Sequence, residues 1–155
     1  MLLQKLRKRV GARLNGESEA GFTLVELLVV MLILGLLAAI AIPSFFNQRD
    51  KAKDSEAKEA VRTAQTSMET YATDHNGSYS GADPSALRAI ESTLTDVGAR
   101  LTVPTAAADN YSVSVASTNT PNVFTITRNA SGITTQTCTT DGNDGCPPGG
   151  NWGNG

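Results

Sequence analysis

Hydrophobic positions are distributed very unevenly along this chain. Residues 22–42, FTLVELLVVMLILGLLAAIAI, contain one charge, Glu26, and one hydroxyl, Thr23. A run rich in Leu, Met and Ala predicts helix rather than strand. As a helix it would span about 31 Å, the thickness of a bilayer's hydrocarbon core. Gly35 lies mid-run and Pro43 closes it. Proline lacks the amide donor and crowds the preceding turn, so a kink or local melting is expected just before Pro43. From Ser44 to about His75 the composition turns polar, yet Ala57, Ala60, Val61, Ala64, Met68, Tyr71 and Ala72 recur at three- and four-residue steps. That spacing predicts an amphipathic helix whose narrow apolar stripe packs on a sheet. Asp54–Lys58 and Glu59–Arg62 are placed to pair on its exposed side. With the apolar run it would form one long helix of about 80 Å.

His75-Asn76-Gly77-Ser78 is a turn signal that ends the helix. Asp83-Pro84 reads as an N-cap followed by proline in the first turn, opening a short helix to about Leu94 with Leu87, Ile90 and Leu94 on one face. Tyr111–Ala116, Val123–Arg128 and Gly132–Thr139 alternate and are rich in Val, Ile, Thr and Tyr, which predicts a three-stranded antiparallel meander. Residues 141–155 are mostly Gly, Pro, Asn and Asp, with Trp152 as an anchor. The expected fold is α+β, a long N-terminal helix laid on a small antiparallel sheet. Its parts are a basic leader (1–21), a membrane-length helix (22–43), an amphipathic half (44–75) and a globular head (76–155).

The net charge of −2 hides an asymmetry. Residues 1–21 carry five basic and two acidic groups, net +3, whereas residues 22–155 carry eight and thirteen, net −5. A basic leader on an acidic body lacks the positive face that nucleic-acid binding needs. It reads instead as a membrane-orientation signal that keeps the N-terminus in the cytoplasm and exports the rest. Cys138 and Cys146 are then an even pair in an exported domain, read as one disulfide closing a short loop. So short a loop stabilises by only about 2–3 kcal/mol, enough to pin a tail rather than to build a fold.

An ordinary secretory signal places its apolar stretch before the cleavage site. Here the basic stretch runs to Gly21, and Gly21-Phe22-Thr23-Leu24-Val25-Glu26 leads directly into the apolar helix. In this order, with Gly35 and Pro43 downstream, the chain resembles the type IV pilin and pseudopilin family over roughly residues 16–75. The resemblance implies cleavage by a prepilin peptidase between Gly21 and Phe22 and methylation of the new amine of Phe22. It also implies an assembly role for Glu26, whose carboxylate in one subunit would sit beside the Phe22 amine of a neighbour, each offsetting the other's desolvation. The stretch from Gly35 to Pro43 would lose helical order in a filament and lend it extensibility; equally, Gly35 would let neighbouring helices approach. The leader of 21 residues is longer than those usual before a phenylalanine start. The implied function is structural, with no enzymatic role: a helical homopolymer on the cell surface, made from a membrane-held precursor with the help of an assembly platform and a motor ATPase. A pseudopilin of a type II secretion system and a membrane-anchored binding domain that never polymerises are the alternatives.

Other candidate chemistry is sparse, and no cofactor is expected. Asp141, Asn143 and Asp144 offer oxygen ligands for calcium inside the presumed disulfide loop, but their spacing is not that of an EF-hand and no closing Glu follows, so a solvated turn is the better reading. His75 is the sole histidine and has no ligand or catalytic partner in the pattern around it. No nucleophile elbow and no phosphate-cradling glycine loop occurs. Tyr79 and Trp152 read as packing anchors, or as exposed aromatics able to meet a partner.

Overall fold

The computed structural model describes residues 21–153; apart from Gly21, the leader lies outside them. Two compact units divide at Pro43, residues up to Ile42 on one side and Pro43–Gly155 on the other. The fold is α+β. Helix α1 (Leu24–Asp74) passes through Pro43 without a break, so the local melting expected before that residue does not occur. Pro43 gives up its own amide bond and crowds the preceding turn, but the surrounding Leu, Ala and Ile positions favour helix and keep it continuous.

In the first unit every large apolar side chain of the run is exposed, Leu27 at 60 %, Ile33 at 51 % and Ile40 at 70 % among them. A helix that is apolar all round and covered by none of the described residues needs lipid or other helices around it. By length and composition α1 contains a segment able to cross a membrane.

In the second unit the later part of α1 packs through Ala57, Val61, Ala64, Met68 and Ala72. Alanine at every other contact lets the helix axis lie close to the sheet. The four-stranded antiparallel sheet runs β1 (Leu101–Ala106), β2 (Tyr111–Ala116), β3 (Val123–Arg128) and β4 (Thr134–Cys138) in sequential order. Tyr111, Val113, Val115, Phe124 and Ile126 form its inner face, all fully buried. Tyr79, Leu87, Leu94, Val97 and Leu101 close the core.

At the end of α1, Asn76 and Gly77 adopt positive φ (55° and 84°), and the Gly77 amide donates to the Ala72 carbonyl at 2.7 Å. This is the glycine-type cap that the turn signal implied. Asp83 caps helix α2 (Pro84–Ile90) by accepting from the Ala86 amide at 2.7 Å. The expected continuation to Leu94 fails because Glu91 is extended and its carboxylate instead caps a 3-10 turn, Ser92–Thr95, through the Thr93 amide. Strand β1 is absent from the expected meander. Pro104 demotes that segment as a strand by pattern, and the structure places it on the sheet edge with a bulge between Thr102 and Thr105. β4 begins at Thr134 rather than Gly132, because Gly132 (φ 81°) belongs to the preceding turn.

Candidate processing and assembly site

Helix α1 starts three residues after Gly21, and the local chemistry explains why. Thr23 Oγ1 accepts from the Glu26 amide at 3.2 Å, while Glu26 Oε2 accepts from the Thr23 amide and the Thr23 hydroxyl, both at 2.8 Å. This reciprocal arrangement is a capping box, Thr-x-x-Glu, and it satisfies amide groups that a bare helix end leaves open. It sets Gly21, Phe22 and Thr23 outside the helix as irregular backbone. Phe22 is 88 % exposed. Glu26 therefore has a hydrogen-bond partner within its own subunit. Thr23 is the residue that motif reading passed over; its spacing to Glu26 was the available signal.

Gly35 and Pro43 do not join this cluster. At 1.5 Å per residue they follow Glu26 by about 14 and 26 Å along the helix. A methyl group added at Gly35 would meet nothing within 4 Å, so no contact inside the chain requires glycine there.

A second polar cluster sits in the head, where sequence reasoning expected a solvated ion pair. Asp54 is fully buried. Its carboxylate accepts from Thr120 Oγ1, from Asn122 Nδ2 at 2.6 Å and from the Gly145 amide at 2.9 Å. One helical turn on, Lys58 Nζ donates to the Gly145 carbonyl at 2.6 Å, with the Phe124 ring 5.3 Å away. The two side chains grip both polar groups of one peptide residue in the loop closed by the Cys138–Cys146 disulfide. Burial pushes the Asp54 carboxyl upward, but the hydrogen bonds it accepts outweigh this and hold it below the usual range. Burial lowers Lys58, and the Asp54 charge partly restores it. A Cβ on Gly145 would lie 2.5 Å from Asp54 Cβ. Gly145→Ala is thus expected to eject the loop from the helix and lower the thermal midpoint of the full-length protein in detergent by about 5–10 °C, the shift that ~1–2 kcal/mol gives in a domain of this size.

The remaining candidates have ordinary places. Trp152 is buried, stacks edge-on against Phe124 at 5.9 Å, donates Nε1 to the Thr137 carbonyl at 2.9 Å and lies under Arg62. Tyr79 and Tyr111 both donate to Glu69, at 2.7 and 2.9 Å. His75 stacks on Tyr71 at 3.8 Å. Asp141 accepts from the Gly149 amide, the Asn143 carbonyl accepts from Asn122, and Asp144 occupies the left-handed region at φ 53°. Among the described residues no group of three or more His, Cys, Asp or Glu is arranged to hold a metal.

With this geometry in view, similarity to known proteins concentrates at the helix start. A family model described as the prokaryotic N-terminal methylation motif matches residues 18–42. The type IV major pilin of Myxococcus xanthus is 45 % identical over 51 residues, which cover 33 % of this chain and 23 % of that pilin. A type II secretion system core protein G from Pseudomonas aeruginosa is 37 % identical over 57 residues, 37 % of this chain and 40 % of its own length. The type IV wide pilus major component of Thermus thermophilus is 33 % identical over 91 residues, 59 % of this chain and 68 % of that protein. No solved structure gives a significant match. The chain belongs to the type IV pilin and pseudopilin family. It spans less than half the length of the first two of these relatives.

Proposed function

We propose that this chain is the building block of a filament of the type IV pilus kind. The observation that carries the proposal is an apolar helix, exposed on every side, that begins at a Thr23–Glu26 capping box directly behind Gly21-Phe22. On this reading residues 1–21 are a basic leader kept in the cytoplasm, and a prepilin peptidase cuts the Gly21–Phe22 bond. The freed amine of Phe22 is methylated, which leaves it positively charged. Residues 22–43 hold the precursor in the membrane, with the head outside, until copies of the same helix replace the lipid around it. A platform and a motor ATPase drive that exchange. Residues 44–75 carry the head, 76–155, to the filament surface.

Glu26 has a double role in this scheme. Within the subunit it caps the helix, and between subunits it faces the Phe22 amine of the next copy. The match to secretion core protein G supports one second reading, a short pseudopilus of a secretion system, which uses the same helix chemistry. Electron microscopy separates the two, since only the first gives long surface fibres.

Mass spectrometry of the mature N-terminus tests the proposal. The expected species begins at N-methylated Phe22. Gly21→Leu should leave the precursor intact, because a bulky side chain stands at the scissile bond, whereas Gly21→Ala should still be cut in part. A purified protein that retains Met1 in cells that process such precursors would overturn the reading.

A further inference from the structure

Helix α1 has a sharply fixed beginning, and the bond proposed for cutting lies just outside it. The first bond of the helical ladder runs from the Leu27 amide to the Thr23 carbonyl, at 3.2 Å. Gly21 and Phe22 precede that ladder. In a helix that began earlier, the Val25 amide would donate to the Gly21 carbonyl and the Glu26 amide to the Phe22 carbonyl. The second of these bonds is diverted, because the Glu26 amide donates to Thr23 Oγ1 at 3.2 Å. The Thr23 amide, which a longer helix would aim at the Glu19 carbonyl, donates instead to Glu26 Oε2 at 2.8 Å.

Residue types alone do not set this boundary. Glu17, Glu19 and Ala20 before it and Leu24 after it all favour helix, and Gly21 is the one that resists it most. Glycine weakens a helix without choosing its first residue, whereas an N-cap hydroxyl does choose it. The choice matters for hydrolysis. A carbonyl inside a helix is engaged by the amide four residues on and is wrapped by the neighbouring turns. A peptidase must bring its own donors, and a water, to the carbonyl it attacks. An extended Gly21–Phe22 bond leaves the Gly21 carbonyl open to both.

We infer that Thr23 is a positioning residue for the cut between Gly21 and Phe22: its hydroxyl fixes where the helix starts and so keeps the scissile bond extended. The inference rests on the processing reading given above; the helix start itself does not. Thr23 and Glu26 then divide two tasks. The bond to Thr23 Oγ1 comes from a backbone amide, so it survives removal of the Glu26 side chain. Loss of the Glu26 carboxylate spares cutting and disturbs assembly, whereas loss of the Thr23 hydroxyl slows cutting.

Full-length precursor is mixed with membranes that contain a prepilin peptidase, and the fraction beginning at Phe22 is followed by mass spectrometry. Thr23→Val keeps the branched shape but loses the cap acceptor, and its initial rate is expected to fall by about threefold or more. Thr23→Ser, which keeps the acceptor, and Glu26→Ala should both stay within about twofold of the wild type. Thr23→Val combined with Leu24→Pro separates a cap from a direct contact between hydroxyl and peptidase. Proline suits the first helical position and disfavours helical backbone at the residue before it, so the helix start returns without a hydroxyl and cutting should return with it. A carbon-13 label on the Gly21 carbonyl of the uncut precursor in detergent reads the backbone directly. Its shift should be helical in Thr23→Val and non-helical in the wild type and in the proline variant. With a wild type that is cut, any of four results would overturn the inference alone: an unchanged rate in Thr23→Val, an unchanged Gly21 signal in that variant, slow cutting of Thr23→Ser, or no recovery with proline. A wild type that is not cut at all defeats the processing reading itself.

Discussion

Glu26→Ala is expected to yield a processed, membrane-held subunit and almost no fibre. The capping box is lost, but about twenty apolar residues still hold the helix in lipid, so export and cleavage survive. What disappears is the opposite charge for the Phe22 amine at each contact between copies. An ion pair 4 Å apart at an effective dielectric near 20 is worth about 4 kcal/mol, close to a thousandfold in association at each contact. Glu26→Gln separates the two roles of the side chain. An amide oxygen still accepts from the Thr23 amide and keeps the cap, but it carries no charge. Fibre counts by electron microscopy should therefore fall as far for the glutamine variant as for the alanine one. Normal fibres in Glu26→Gln would show that capping suffices, and normal fibres in both would remove the charge-pairing account.

The second large effect is expected in the head. Asp54→Ala leaves the Thr120 hydroxyl, the Asn122 amide and the Gly145 amide without their common acceptor in a buried place. At about 1 kcal/mol for each stranded donor, the loss is about 3 kcal/mol, or more than 10 °C in the thermal midpoint of the full-length protein in detergent. The pH dependence has a definite sign. A carboxyl held below its ordinary value in the folded protein contributes fully above about pH 3.9, the value of an unperturbed Asp, and its contribution falls away as the pH drops through the lowered folded value. Unfolding followed between pH 7 and pH 2 should thus show an acid-labile component in the wild type that Asp54→Ala lacks. Identical acid profiles for the two proteins would place the acid sensitivity elsewhere.

Features written within a few residues of one another were legible without coordinates. The Gly21–Glu26 string, the apolar run and the Asp83 cap each depend on neighbours in the chain, so residue type and spacing carry the physics. Thr23 belonged to this class and was overlooked, because its hydroxyl was counted as a polar interruption rather than as half of a cap. Asp54 belonged to another class. An acid four residues before a lysine on a helix looks like a solvated pair, and helical period alone does not tell which edge of the apolar stripe a distant loop will cover.

What the chain's own pattern determined is the greasy helix, its charged neighbour Glu26 and the α+β plan, since periodicity and composition act locally. What only tertiary structure decided is the burial of Asp54 under Gly145, 91 residues away, and the admission of Pro104 to an edge strand. These depend on which strands pair and in what register, and on which loop folds back over the helix. Long-range packing settles those choices after local preference has been spent.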